Sequence, residues 1–150
     1  MTKNNPHVMH VIDSLAPGGA ERMLVDIANN IDRDQFSVSV CITRSNNALA
    51  KVLHPDIPFM ALDRKWRFDP KGFTRFKQFS NEHSVDIFHV HGRTSFAFLL
   101  MARVLGLCKS PLFYMTILAL YTLIKVHPYG FDIRDQKKSP IILVCSIIKY

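Results

Sequence analysis

Two histidines with a spacing of two residues are the first feature of the sequence that could support chemistry. Residues 86–92 read Asp-Ile-Phe-His-Val-His-Gly. Because side chains alternate along a strand, His89 and His91 are expected on one face, with His91 at the carboxyl end. An imidazole can serve as a base, a proton shuttle or a hydrogen-bond donor near neutral pH. The alternative for His89 is a core histidine with its hydrogen bonds satisfied.

A metal site is not expected from this pair. A His-x-His zinc site needs a third ligand, and no further ligand is evident near His89 and His91 in the sequence. We therefore predict no bound metal.

The second candidate is the glycine pair Gly18-Gly19, which follows the first apolar segment. Glycines at a strand-to-helix turn let a ligand approach the backbone, and the helix start offers free N–H groups to an anion. A tight turn without a ligand is an equally good interpretation, and Glu21 opposes an anion placed there. The turn lacks both the G-x-G-x-x-G fingerprint and a P-loop lysine, and Arg44 stands where a dinucleotide site would need an acidic residue. A different Rossmann enzyme that binds a nucleotide is therefore a weaker alternative.

The third candidate is a basic segment with interleaved aromatic residues, Trp66 and Phe68. Its cations are Arg64, Lys65, Arg67, Lys71, Arg75 and Lys77. Arg64, Lys65, Arg67 and Lys71 are the predicted contacts to anions or to an anionic membrane surface. The alternative is a solvated helix face beside a flexible loop. No nucleic-acid recognition module accompanies the segment, so nucleic acid is not an expected partner.

The elements that must position these residues alternate between strand and helix. Periodicity predicts strands at 7–13, 36–43, 57–62 and 86–90, and helices at 20–30, 48–53, 69–82 and 94–105. This alternation predicts an α/β fold, a Rossmann-like doubly wound parallel sheet. With strand order 3-2-1-4, the Gly18-Gly19 turn and the His91-Gly92 turn would face each other at the carboxyl edge, where such sheets bind ligands.

The pattern is regular to about residue 108 and differs in residues 109–150. A fifth strand is predicted at 112–116 and a buried strand at 140–144, with an apolar stretch at 117–126 and a turn at 127–130 between them. The longest uncharged run, residues 111–124, is shorter than the roughly 20 residues that a membrane-spanning helix needs. We predict a single domain over residues 1–150 with a divergent or truncated end.

The net charge and the cysteine content indicate which partners and which cellular compartment to expect. The net charge of +7 favours an anionic partner. No secretory signal opens the chain, and the three cysteines are widely spaced, which indicates a reducing cytoplasm rather than a disulfide framework.

Three segments together resemble the N-terminal domain of family 4 retaining glycosyltransferases. They are Val-Met-His-Val-Ile-Asp at 8–13, Gly-Gly-Ala-Glu-Arg at 18–22 and the His-x-His strand at 86–92. The resemblance covers residues 7 to about 107, in the family's order. It implies the N-terminal half of a GT-B architecture, in which this domain holds a glycan or lipid-linked acceptor and a second domain grips a nucleotide-diphosphate sugar.

The resemblance also implies roles for particular residues. His91 would contact the transferred sugar near the reacting centre, and Gly18 and Gly19 would line the cleft near the donor diphosphate or the acceptor. Arg22, Gly92 and Arg93 are the other candidate substrate-binding residues. Such enzymes need no metal or cofactor, because basic groups and helix N-termini stabilise the leaving diphosphate.

The family's donor-binding domain, with its paired glutamates, is not found in these 150 residues. We therefore expect little or no transferase activity from the chain alone, which lacks most donor contacts. The basic segment would suit a peripheral position on the inner membrane face. The alternative is a non-catalytic module that binds an acceptor or phosphate and pairs with a separate donor-binding subunit.

Overall fold

A parallel sheet forms the centre of the molecule. The computed structural model describes residues 5–115 and 141–142, and within these residues six strands lie in the order β3-β2-β1-β4-β5-β6. Every neighbouring pair is parallel. The strands are β1 (His7–Ile12), β2 (Ser37–Ile42), β3 (Phe59–Ala61), β4 (Ile87–His91), β5 (Leu112–Met115) and β6 (Ile141–Ile142). The predicted α/β class is confirmed, and the order 3-2-1-4, on which the expected facing of the two turns depends, is observed.

In the described part of the chain three α-helices connect strands, and α2 begins at a clear local sequence signal. They are α1 (Gly19–Asn30), α2 (Pro70–Glu82) and α3 (Arg93–Val104). The Asp69 carboxylate caps α2 by accepting the Lys71 backbone N–H at 3.1 Å, and Pro70 fills the first helical position. The helix predicted at 48–53 is only a 3-10 turn, Ala50–Val52, which Pro55 prevents from extending.

The helices cover both faces of the sheet. On one face, Phe73, Phe76 and Phe79 from α2 are buried together with residues of α3. On the other face, Leu24, Val25 and other α1 side chains pack against alternate residues of β1 and β2. Since both faces are covered by helices, a ligand can reach the sheet at the ends of its strands rather than through its faces.

Two further predicted strands, at 112–116 and 140–144, are confirmed in part at the β5-β6 edge of the sheet. The strand predicted at 112–116 is β5, and the strand predicted at 140–144 appears as the two residues of β6, paired with β5. The predictions for 117–126 and 127–130 lie outside the described residues. Among those described, no helix is long and apolar enough to cross a membrane.

Candidate functional site

A cleft of about 130 Å³ lies at the carboxyl edge of β1 and β4. β1 and β4 are neighbours, and the strand order reverses between them, so this is the position where open parallel sheets bind ligands. The lining residues come from the ends of β1 and β4 and the first turns of α1 and α3: Ile12, Asp13, Ala20, Glu21, His91, Gly92, Arg93, Thr94 and Ser95. The sequence prediction thus located the cleft at the right pair of strands.

The two helix starts at the cleft differ in their electrostatics. Both N-caps are glycines, and within the described part of the chain no side chain caps either helix, so backbone N–H groups in each first turn stay available. At α1 the Glu21 carboxylate folds back over Gly18, where a Cβ atom would overlap it. At α3 the first turn carries no acidic residue and begins with Arg93. The start of α3 is therefore the better anion site, because its positive end is not neutralised by a carboxylate of its own helix.

Gly92 and Ser95 shape the α3 side of the cleft. Gly92 has φ +84°, a conformation that side chains rarely adopt, and this turns the chain sharply from β4 into α3. The Ser95 hydroxyl is fully buried, lines the cleft and has no hydrogen-bond partner among the described residues. A buried hydroxyl of this kind gains from a polar ligand, since leaving it unpaired costs about 1–3 kcal/mol.

Three histidines converge behind the cleft. His10 Nδ1 lies 3.2 Å from His91 Nε2 and 3.1 Å from His89 Nδ1. His10 and His91 are buried, while His89 is half-buried. His10 and His89 are register partners on adjacent strands, and His91 follows two residues later on the same face.

Burial keeps all three imidazoles in their neutral form. Desolvation lowers the pKa of His89 to about 4. Desolvation also holds the pKa of His91 well below its ordinary value, and His89 contributes a smaller lowering. The pKa of His10 is likewise held well below its ordinary value by desolvation, and His89 and His91 lower it further. His91 is therefore a neutral imidazole rather than a cation at neutral pH.

The reasoning that excluded a third histidine near the pair is wrong. His10 occupies the third position of β1 from the carboxyl end, as His89 does in β4, and this makes it the third histidine of the cluster. The interpretation of His89 as a core histidine with a hydrogen bond is met only in part, because the residue is half-buried and its partner is another histidine. The adjacency of β1 and β4 was the signal that could have placed His10 beside them.

Arg64 is not part of an exposed basic surface, which corrects its grouping with Lys65, Arg67 and Lys71. Its side chain is buried, and its guanidinium lies 4.6 Å from the centre of the Phe98 ring and 3.7 Å from Asp13 Oδ1. Burial lowers the pKa of Arg64, and the Asp13 carboxylate opposes that shift. Arg64 instead supports the cleft, because Asp13 is one of the lining residues.

The remaining predicted residues are distributed unevenly around the cleft. Gly92 and Arg93 line it, whereas Gly18 and Gly19 lie exposed just before the lining residues of α1. Arg22 is exposed and points along its own helix to Asp26, at 3.5 Å. Of the lining residues, Asp13 and Ser95 were missed, because a short polar side chain beside a strand end carries no signal of its own in a single sequence.

Comparison with known proteins adds a family to this geometry. A family model described as Glycosyltransferase Family 4 matches residues 17–115, about two thirds of the chain. The matched range includes both turns that form the cleft and extends to the end of β5. A search of curated proteins found no match.

Proposed function

The chain belongs to glycosyltransferase family 4, and on that premise we propose that it forms the acceptor-side half of a GT-B sugar transferase. The donor would be a nucleotide-diphosphate sugar gripped mainly by another domain, and the acceptor a glycan or a lipid-linked glycan. The observation that carries this proposal is the cleft between the starts of α1 and α3, at the point where the strand order reverses.

The α3 side of the cleft suits the diphosphate or another anionic group of a substrate. It combines free N–H groups of the first helical turn, the Arg93 guanidinium and the unpaired Ser95 hydroxyl. Such donors are fixed by the fold before the substrate arrives, so they stabilise a developing negative charge without reorganisation.

His91 suits the transferred sugar or an acceptor hydroxyl. Its Nε2 is engaged by His10, and the ring lines the cleft, so Nδ1 is the nitrogen left to a ligand. A neutral imidazole held by a buried partner offers one defined hydrogen bond rather than a mobile charge.

Nuclear magnetic resonance with the 15N-labelled chain tests this assignment. Titration with nucleotide-diphosphate sugars and with inorganic pyrophosphate is expected to shift amide signals of residues 18–21 and 92–95, and the His91→Asn variant should bind about 5- to 10-fold more weakly, as expected for one lost hydrogen bond. The matched control is His54→Asn, which alters an exposed histidine away from the cleft. Shifts confined to other surfaces, or equal binding by both variants, would contradict the site.

The chain alone is expected to release nucleoside diphosphate from these donors at no more than the buffer rate. Orientation of both substrates supplies much of the rate of such reactions, and this cleft contributes one side of it. Turnover by the purified chain would show instead that it contains the complete transferase machinery. If the amide shifts occur without turnover, a binding module that pairs with a separate donor-binding subunit fits equally well, and a stable one-to-one complex with such a subunit would identify it.

A second proposal, peripheral binding to an anionic membrane, is favoured by exposed aromatic residues near the start of α2. Trp66 and Phe68 are each 59% exposed, and Leu105 is 57% exposed. Phe68 and Leu105 border an apolar groove of about 430 Å³ that also includes Lys77. Exposed Lys65, Arg67 and Lys71 lie on the same segment. Aromatic rings beside basic side chains match the interface of an anionic bilayer.

Trp66 reports on this binding directly, because it is the chain's single tryptophan. Its fluorescence is expected to shift to the blue with vesicles of phosphatidylglycerol and to stay unchanged with phosphatidylcholine. The double variant Arg67→Glu, Lys71→Glu should weaken binding by at least about 30-fold, since each basic residue near such a surface contributes about 1 kcal/mol and the added carboxylates are repelled. The control Lys51→Glu reverses an exposed charge elsewhere. A shift that is equal with both lipids would exclude an electrostatic contact.

A further inference from the structure

The three converging histidines lie on one face of the sheet. His10 shares its face of β1 with Ile12, which packs under α1, and the register places His89 beside His10. The ring centres of His89 and His91 are 4.4 Å apart, and that of His10 lies 4.8 and 5.5 Å from them. One ligand nitrogen from each ring falls within 4.8 Å of the others. The cluster is therefore compact enough to surround one small ion.

The closest nitrogens have the separation that a metal ion imposes. Zinc binds imidazole nitrogen at about 2.0–2.1 Å in a tetrahedral arrangement, which places neighbouring ligand nitrogens roughly 3.3 Å apart. The contacts from His10 Nδ1 are 3.1 Å to His89 Nδ1 and 3.2 Å to His91 Nε2.

Hydrogen bonds alone satisfy these contacts poorly. Both contacts use His10 Nδ1, which carries either one proton or one lone pair, so it can make only one well-aligned bond to another nitrogen. The other nitrogen of His10, Nε2, is buried and has no hydrogen-bond partner among the described residues. A cation among the three rings would instead use one lone pair from each.

We propose that His10, His89 and His91 form a zinc-binding site. Three imidazole ligands suit zinc better than magnesium or calcium, which prefer oxygen. A water molecule from the cleft would complete four-coordination, because His91 lines the cleft. This site does not depend on the proposed transferase function.

Metal binding would also define the state of His91. With Nε2 on the ion, the ring keeps its proton on Nδ1 and presents an N–H donor, whereas a His91 whose Nε2 donates to His10 presents Nδ1 as an acceptor. Zinc occupancy would thus decide whether His91 donates or accepts toward a cleft ligand.

The test is zinc binding by the purified chain, measured by elemental analysis and by competition with a chromogenic chelator. We expect one zinc per chain. The zinc affinity should fall by about 100-fold or more in His10→Asn, His89→Asn and His91→Asn. Loss of a residue that only supports a ligand already costs about 10- to 100-fold, and loss of a ligand should cost at least as much. The matched control is His54→Asn, because exposed His54 contacts Asp56 and that pair could capture zinc weakly. Loss of binding in His54→Asn with retention in His10→Asn would overturn the proposal, as would no stoichiometric binding.

Cobalt(II) provides a readout in the unaltered chain, in case a ligand variant fails to fold. We expect the visible absorption of four-coordinate cobalt without thiolate-to-metal charge transfer, since the ligands are imidazoles. A six-coordinate spectrum, or one with thiolate charge transfer, would assign the ion to another set of residues and overturn the proposal. Because the readout is metal content and not nucleotide-sugar binding, failure here is distinguishable from failure of the proposed function.

Discussion

At the scale of single residues, the cleft depends on a backbone conformation at Gly92 more than on the glycine pair Gly18-Gly19. Gly92 has a positive φ, whereas a Cβ atom at Gly19 would meet nothing within 4 Å. The two glycines flank the same cleft, so they form a matched pair for testing which turn is under conformational constraint.

We expect Gly92→Ala to lower the free energy of unfolding by about 1–2 kcal/mol, because an L side chain is strained at this φ. Gly19→Ala should stay within about 0.5 kcal/mol of the wild type, since the site is exposed and open. Urea denaturation followed by circular dichroism measures both. Equal effects of the two substitutions would show that the β4-to-α3 turn relaxes without cost.

At the scale of elements, Arg64 holds several segments together below the cleft. Its guanidinium reaches Asp13 after β1, stacks on Phe98 of α3 and donates to the Arg67 carbonyl oxygen at 3.3 Å. Its aliphatic stem passes Gly72 of α2, where a Cβ atom would lie 3.3 Å from Arg64 Cγ. One buried cation thus links the end of β1, the segment before α2 and the Phe98 ring of α3.

Arg64→Met is expected to lower the free energy of unfolding by about 1–3 kcal/mol, because it removes a buried cation–π contact and leaves Asp13 with fewer partners. Asp13 retains its ion pair with Arg44 at 3.0 Å, which limits the loss. The control Lys65→Met changes an adjacent exposed cation and should have little effect. Thermal and urea unfolding measure the stability of both variants. If Arg64→Met and Lys65→Met are equally stable, Arg64 does not have this role.

The same elements show how far the sequence alone could lead. The α/β class and the positions of the strands and long helices followed from alternation and periodicity, which are local patterns. The cleft position followed from the strand order that doubly wound sheets commonly have. The burial of Arg64 against Asp13 and the approach of His10 to His91 could not be predicted from these patterns. The two contacts join residues that are 51 and 81 positions apart, and only tertiary packing fixes them. A cation within a basic run looks exposed until its carboxylate partner, here the half-buried Asp13, is located.

At the scale of the whole molecule, buried histidines link stability to pH. Desolvation lowers the pKa of His7; the charge of His83 lowers it further, and the Asp86 carboxylate opposes the shift. The pKa values of His10, His89 and His91 are lowered as well, that of His89 to about 4. Because the unfolded chain titrates these groups near 6.5, it binds more protons than the folded chain below that pH.

Stability should therefore be fully present above about pH 6.5 and decrease as the pH falls below it, by about 1.4 kcal/mol per pH unit for each histidine that stays neutral in the folded state. Urea unfolding between pH 8 and 5, with a chelator present to remove metal, measures this dependence. The variant His89→Asn should show a shallower slope, by close to one proton, because it removes one group that takes up a proton only on unfolding. Identical slopes in the variant and the wild type would mean that His89 is already protonated in the folded chain, and that the neutral histidine cluster behind the cleft does not exist as described.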